Sequence, residues 1–243
     1  MNSPYYQANY KVRIADANAQ AQLKIPSLFE MLQEAATEHA QKLGVDFSSL
    51  APQGLGWALS KMSVEILRMP NWNERVHITT WASIRERITT FREFEAKSAS
   101  GEMLFTARSQ WVLFDLNTRR LTRMERLTDW VRDDTRFANS ETFSEHLSKP
   151  TSITNEVECH IRNNDIDLNK HVNNSIYIVW AIQPLSDEFL KKNTPSKIKI
   201  SFLEEIKMGE RVKSILQKND STTLHSIQNL DTGRECARIN IHW

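Results

Sequence analysis

Cysteine is scarce in this chain: among 243 residues only Cys159 and Cys236 occur, each in a stretch that reads as a strand. Their spacing permits a disulfide, but two buried, reduced thiols are the expectation, and with them a cytoplasmic location. The seven histidines are scattered, with no Cys-x-x-Cys or His-Glu-x-x-His pattern, so a dedicated metal site is not expected. No run of about 18 apolar residues occurs, so no membrane-spanning helix is expected. The opening Met1-Asn-Ser-Pro-Tyr-Tyr6 has neither a basic n-region nor an apolar h-region, and no secretory signal is expected. Charge of one sign is lacking as well: the formal net charge is +1, and no global field points to nucleic acid.

What remains is a composition of 40% hydrophobic and 25% charged residues, that of a soluble globular protein. The length suits one large domain or two of about 120 residues, and either can bury a core. Two copies of one pattern run through it. In the first, a strand over Ala8–Ile14 precedes a helix over Pro26–Leu43. Pro26 suits a first turn, Gly44 suits a stop, and Leu28, Met31, Leu32, Ala35, Ala36, His39 and Leu43 recur at helical spacing. Strand-like runs follow at Trp57–Leu67, Arg75–Ser83, Thr89–Ser98 and Met103–Asp115. In the first of these, Met62, Val64 and Ile66 alternate with polar neighbours; in the last, Phe105, Ala107, Ser109, Trp111 and Leu113 line one side. The second copy has a strand at Asn155–Arg162 and a helix over Ser175–Lys191. Strands follow at Lys197–Leu203, Glu210–Gln217, Thr222–Asn229 and Glu235–Trp243. Each half therefore reads β-α-β-β-β-β, an α+β fold in which a curved antiparallel sheet wraps one long helix. The two sheets could join edge to edge. Glu125–Pro150, polar and rich in Asp, Asn and Ser, is the connector. The expected division is 1–135, a linker over 136–150, and 151–243.

The chemistry concentrates in Asp165-Ile-Asp167-Leu-Asn169-Lys-His171-Val-Asn173-Asn174. Along an extended backbone, Asp167, Asn169 and His171 would point to the same side. Asn173, Asn174 and Ser175 are good N-cap residues for the apolar helix that follows, and a helix N-terminus favours developing negative charge. An acid, an imidazole and an anion-stabilising helix end are the parts needed to hydrolyse an ester or thioester. The alternative is that such Asx-rich stretches are only turns and caps. When the halves are overlaid with Arg13 on Arg162 and Asp16 on Asp165, Asn169 falls on Gln20 and His171 on Gln22. The first copy has no imidazole there, so one site per chain, in the second half, is expected.

The sequence resembles the acyl-[acyl-carrier-protein] thioesterases, the double-hotdog family of plastids and bacteria. The resemblance runs through Trp57-Ala-Leu-Ser-Lys-Met-Ser-Val64, Arg68-Met-Pro-Asn-Trp72, Thr79-Thr-Trp81, Ser109-Gln-Trp-Val112 and Asn117-Thr-Arg-Arg-Leu121. Most specifically, it includes Asp165 to Asn174 and Phe202-Leu-Glu-Glu-Ile-Lys-Met-Gly209. It implies a tandem hotdog fold, with an N-terminal repeat that supplies much of the acyl pocket and a catalytic C-terminal repeat. It further implies a homodimer, no bound cofactor or metal, and release of a fatty acid from acyl-loaded acyl carrier protein. It places the catalytic set at Asp167, Asn169, His171 and Glu205, with Glu204 the one-off competitor and Glu205 on the strand after the helix. Many plastid members have a cysteine after that glutamate; here the position is Ile206, so a cysteine nucleophile is not available. Glu205 is the expected water activator or nucleophile and His171 the proton carrier. Asn169 would orient water or thioester, while Asp167 would hold Asn169 or His171 or compete as nucleophile. N–H groups near Asn174–Ser175 would form the oxyanion site.

His39, on the apolar face of the first helix, reads as a hydrogen-bonded core histidine. Trp57, Trp81 and Trp111 read as core, although one could line an acyl tunnel. His160 follows Cys159, but strand neighbours point to opposite faces and the two do not form a dyad. Basic clusters at Arg119, Arg120, Arg123 and Arg126, and at Lys191, Lys192, Lys197 and Lys199, are either solvated faces or docks for an acidic carrier. The rival readings are an acyl-CoA thioesterase, a hotdog dehydratase and a non-catalytic acyl-chain binder.

Overall fold

The apolar stripe expected on the first helix is buried. α1 (Ile25–Leu43) turns Leu28, Met31, Leu32, Ala35, Ala36 and His39 away from solvent. Gly44 stops it at φ 69°, where the Val45 N–H reaches back to the Ala40 carbonyl at 3.0 Å. A residue with a Cβ would be strained in that left-handed conformation. A short helix, α2 (Phe47–Leu50), follows, capped by the Asp46 carboxylate.

The computed structural model describes residues 3–243, which divide into two units. One comprises the described residues up to Leu23 with Glu30–Phe143; the other comprises Lys24–Phe29 with Ser144–Trp243. In the first unit the strands are β1 (Tyr5–Lys11), β2 (Leu55–Ile66), β3 (Arg75–Arg85), β4 (Thr89–Ser98), β5 (Met103–Asp115) and the two-residue β6 (Arg120–Leu121). They pair antiparallel in the order β1-β3-β4-β5-β2, with β6 against β5. β1 ends before the expected Ile14, because a 3-10 turn at Ile14–Asp16 intervenes, held by Arg13 Nε on the Asp16 carboxylate at 2.7 Å. One face of the sheet receives the C-terminal half of α1. Ala40, Leu43 and Val45 pack with Leu55, Ala82 and Leu113.

The opposite face is covered too, by the connector. Phe143 stacks on Phe91 with ring centroids 6.3 Å apart. Trp81 donates its indole N–H to the Arg136 carbonyl at 3.0 Å, Lys61 reaches the Phe143 carbonyl at 2.8 Å, and the Ala138 N–H reaches the Glu93 carboxylate at 3.1 Å. Beneath this strap Arg108 Nε lies 2.9 Å from Glu93, both side chains nearly inaccessible, and Arg108 Nη1 donates to the Glu141 carbonyl at 2.6 Å. The chain up to Phe143 is thus fastened to the first unit rather than free of it.

The second unit contains β7 (Asn155–Cys159), α3 (Asn174–Ile182), α4 (Asp187–Lys192), β8 (Lys197–Phe202), β9 (Val212–Lys218), β10 (Thr222–Asn229) and β11 (Glu235–His242). Its strands run β8-β11-β10-β9-β7, the same succession as β2-β5-β4-β3-β1 of the first unit. α3 lies against β9, β10 and β11. The helix expected over Ser175–Lys191 is two helices. Gln183 is still helical at φ −60°, ψ −36°, and Pro184 after it has no N–H to continue the ladder; the Ser186 hydroxyl then caps α4 by accepting from the Phe189 N–H at 3.2 Å. Arg238 donates to the Leu147 carbonyl at 2.7 Å, which ties the last part of the connector to this unit. Among the described residues no helix is long and apolar enough to cross a membrane.

Replacing Arg108 by Met leaves the Glu93 carboxylate buried without its charge partner. Stability should fall by about 3–5 kcal/mol, the cost of breaking a buried pair from one side. The double change Arg108→Met, Glu93→Leu should recover much of it. Urea unfolding followed by circular dichroism measures both; an unchanged midpoint for Arg108→Met would show that the pair contributes nothing.

Candidate active site

Asp167, Asn169 and His171 do not lie along an extended strand. The segment is a tight turn: the Lys170 N–H bonds the Asp167 carbonyl at 3.0 Å, the Asp167 N–H bonds the His171 carbonyl at 2.8 Å, and Ile166 bridges Val172. Lys170 takes φ 65° to close it. The Asp167 carboxylate organises the turn from inside. Its Oδ1 accepts the N–H of Asn169 at 2.8 Å and that of His171 at 3.3 Å, while Oδ2 lies 3.4 Å from the Asn169 amide nitrogen. Short side-chain acceptors compete with extended backbone in this way, which is why the alternation of residue types did not become a strand.

Glu205 also departs from the expected strand. β8 ends at Phe202 because the N–H groups of Leu203 and Glu204 both turn to one acceptor, the Cys236 carbonyl, at 2.8 and 3.1 Å. The chain then leaves the ladder, and the Val172 N–H bonds the Ile206 carbonyl at 2.9 Å. His171 and Glu205 are the residues immediately before that pair. They meet side by side, with His171 Nε2 at 3.1 Å from Glu205 Oε2; the imidazole is 15% exposed and the carboxylate 45%. Glu204 points elsewhere, to Arg234 at 2.9 Å. Sequence reasoning missed Tyr177. From α3 its hydroxyl donates to the Glu204 carbonyl at 3.3 Å and accepts the Ile206 N–H at 3.1 Å, straddling Glu205. An aromatic on an apolar helix reads as core, and nothing local marks its hydroxyl as a clamp.

The first unit repeats the turn without the chemistry. Asn18 Oδ1 accepts the N–H groups of Gln20 and Gln22 at 3.0 and 2.9 Å. Ala21 takes φ 57° where Lys170 takes 65°. The Leu23 N–H bonds the Pro70 carbonyl at 2.8 Å as that of Val172 bonds Ile206. Gln22 and Met69 therefore stand where His171 and Glu205 stand.

At the start of α3 the Ser175 N–H is bonded by Asn173 Oδ1 at 2.9 Å. That cap removes Ser175 from the expected oxyanion donors and leaves the Asn174 N–H of the pair. Both cysteines are buried, and burial pushes each thiol up to about 11. His160 is exposed while Cys159 is buried, as opposite strand faces require. His39 is a core histidine: Arg92 Nη1 lies 2.8 Å from its Nδ1. A guanidinium only donates, so that nitrogen accepts and the ring is neutral. Burial, then the nearby Arg92 and Lys42, push its pKa down to about 3.

The second unit thus sets an imidazole–carboxylate pair near the N-terminus of a helix that lies on an antiparallel sheet, and comparison gives the family. The model of the acyl-ACP thioesterase N-terminal domain matches residues 3–129, and that of the acyl-ACP thioesterase C-terminal domain matches residues 148–243. The chain belongs to the acyl-ACP thioesterase family. It is 26% identical to the oleoyl-acyl carrier protein thioesterase 2 of Arabidopsis thaliana, named as chloroplastic, over 98% of this chain and 76% of that one. Among solved structures, the 12:0-ACP thioesterase from Umbellularia californica superposes with TM-score 0.87 at 20% identity, covering 100% of this chain and 98% of that one. An acyl-ACP thioesterase from Bacteroides thetaiotaomicron superposes with TM-score 0.88 at 19% identity, covering 98% and 97%.

Two outcomes follow from this geometry. Tyr177→Phe removes the clamp and leaves the buried Ile206 N–H unpaired, so stability should fall by about 1–3 kcal/mol. Turnover should fall about tenfold at unchanged KM, since a misplaced acid or base costs kcat; full kcat would show that Glu205 needs no such support. Iodoacetamide at neutral pH should leave activity intact, because a thiol titrating near 11 carries almost no thiolate. Inactivation proportional to labelling of either cysteine would overturn that.

Proposed function

We propose that this chain hydrolyses the thioester of acyl-acyl carrier protein, releasing a free fatty acid and ending chain elongation. The observation that carries the reading is the contact between His171 Nε2 and Glu205 Oε2 at 3.1 Å, in a chain of this family. Glu205 takes a proton from water as its oxygen attacks the thioester carbonyl. His171 holds that carboxylate in place and relays the proton to the departing pantetheine sulfur as the C–S bond breaks. The Asn174 N–H, at the positive end of α3, faces the charge on the carbonyl oxygen, a contribution of roughly 10²–10³ in rate per donor. Asn169, exposed on the turn, orients water or thioester. Asp167 acts as a positioning residue: its oxygens are committed to the turn, and Asn18 does the same with an amide.

The equal strand succession of the two units and the duplicated turn support a tandem hotdog reading. In it the C-terminal repeat is catalytic and the N-terminal repeat, without the imidazole, binds acyl chain; the boundaries we propose are 1–135 and 151–243. The free thiols suit the cytoplasm. The end strands β1 and β7 and the family resemblance suit a homodimer of two-repeat chains.

Glu205→Ala and His171→Ala should each lower kcat on an acyl-carrier-protein thioester by about 10²–10⁴, the range for a positioned acid or base, with the circular dichroism spectrum unchanged. Glu204→Ala is the control and should turn over normally. Normal turnover by Glu205→Ala beside an inactive Glu204→Ala would put the chemistry one residue earlier.

A further inference from the structure

Part of the first unit outside the motif region carries a feature the hydrolysis itself does not use. A cleft of about 600 Å³ opens between the β3–β4 turn and the segment that follows β5, lined by Arg87, Ile88, Leu121, Arg123, Glu125 and Arg126. Its seam is the Met124 N–H on the Arg87 carbonyl at 2.9 Å. Ile88 and Leu121 are 39% and 51% exposed, and they share the lining with Arg87, Arg123 and Arg126. Arg126 is engaged with Asp115 at 2.7 Å, while Arg123 meets Glu125 only at 3.9 Å. Arg87 and Arg120 are exposed, and neither side chain meets a carboxylate among the described residues. Arginines outnumber carboxylates here, in a chain whose formal charge is +1. The other basic cluster differs. Lys192 is spent on Glu188 within α4 at 2.6 Å.

We infer that this cleft is the docking surface for the acyl carrier protein, an inference that rests on the proposed function. An acidic carrier with an apolar side chain among its carboxylates fits arginines around Ile88 and Leu121, and the exposed charges would steer its approach. The phosphates of an acyl-CoA could use the arginines but would leave the apolar pair uncovered, so the carrier is the occupant the surface favours.

The test is the triple variant Arg87→Glu, Arg120→Glu, Arg123→Glu, assayed with one acyl group carried on acyl carrier protein, on CoA and on N-acetylcysteamine. On the carrier substrate kcat/KM should fall by about tenfold or more through KM, and the loss should shrink near 1 M salt, where the Debye length is about 3 Å. The two small thioesters should react within about twofold of the unaltered chain. The double variant Ile88→Ser, Leu121→Ser should weaken carrier binding at high and low salt alike, read by fluorescence anisotropy of labelled, unacylated carrier. Equal losses on all three thioesters, a loss shared by acyl-CoA, or an unchanged carrier affinity in both variants would each overturn the assignment. If the unaltered chain hydrolyses no thioester, the reading of His171 and Glu205 fails. The anisotropy measurement still decides the docking surface.

Discussion

One backbone hydrogen bond, from the Val172 N–H to the Ile206 carbonyl, sets the geometry of the candidate site. Because His171 precedes one partner and Glu205 the other, the bond sets an imidazole beside a carboxylate that lies on a different segment. Its net worth is only about 1 kcal/mol, yet the proposed roles require the pair to be held to within about half an ångström. That precision is supplied by redundancy. The Asp167 carboxylate closes the turn before Val172, and the Tyr177 hydroxyl binds the chain on either side of Glu205. Burial of Ile206, which has no exposed surface, anchors the far side. Glu205 itself keeps 45% of its side chain exposed beside the imidazole.

The duplicated turn separates scaffold from function. Asn18 and Asp167 accept the same two N–H groups, so the turn demands an oxygen acceptor and not a charge. What differs is the residues at the equivalent positions: Gln22 and the buried Met69 in one unit, His171 and Glu205 in the other. Histidine has diverged in the same way. His39 sits neutral against a guanidinium inside the first unit, where a charged ring would be costly. His171 keeps partial access to solvent and lies against a carboxylate.

The strap over the first sheet reflects a different constraint. β4 and β5 carry Glu93 and Arg108 on the face away from α1, both buried. Such charges are tolerated only when paired and hydrogen-bonded, and the connector completes the set through Ala138 and Glu141. Phe143 on Phe91 adds apolar cover. A segment whose composition reads as a loose linker is therefore held by the polar groups of the sheet it crosses.

Local periodicity was enough to determine the strands at Thr89–Ser98, Met103–Asp115 and Thr222–Asn229 and the helix ending at Leu43, since each pattern is written in contiguous residues. It also marked His171, because Asp167 to His171 is a local motif, and the resemblance singled out Glu205 over Glu204. The break at Pro184 was locally written as well, and the apolar run across it hid the signal. Tertiary structure alone decided the rest. The Cys236 carbonyl draws Glu205 off its strand, Tyr177 becomes a clamp by reaching across to Ile206, and Arg108 and Glu93 capture the connector. Each of these unites residues far apart in the chain, and a pairing made only when the sheet closes leaves no periodic trace along it.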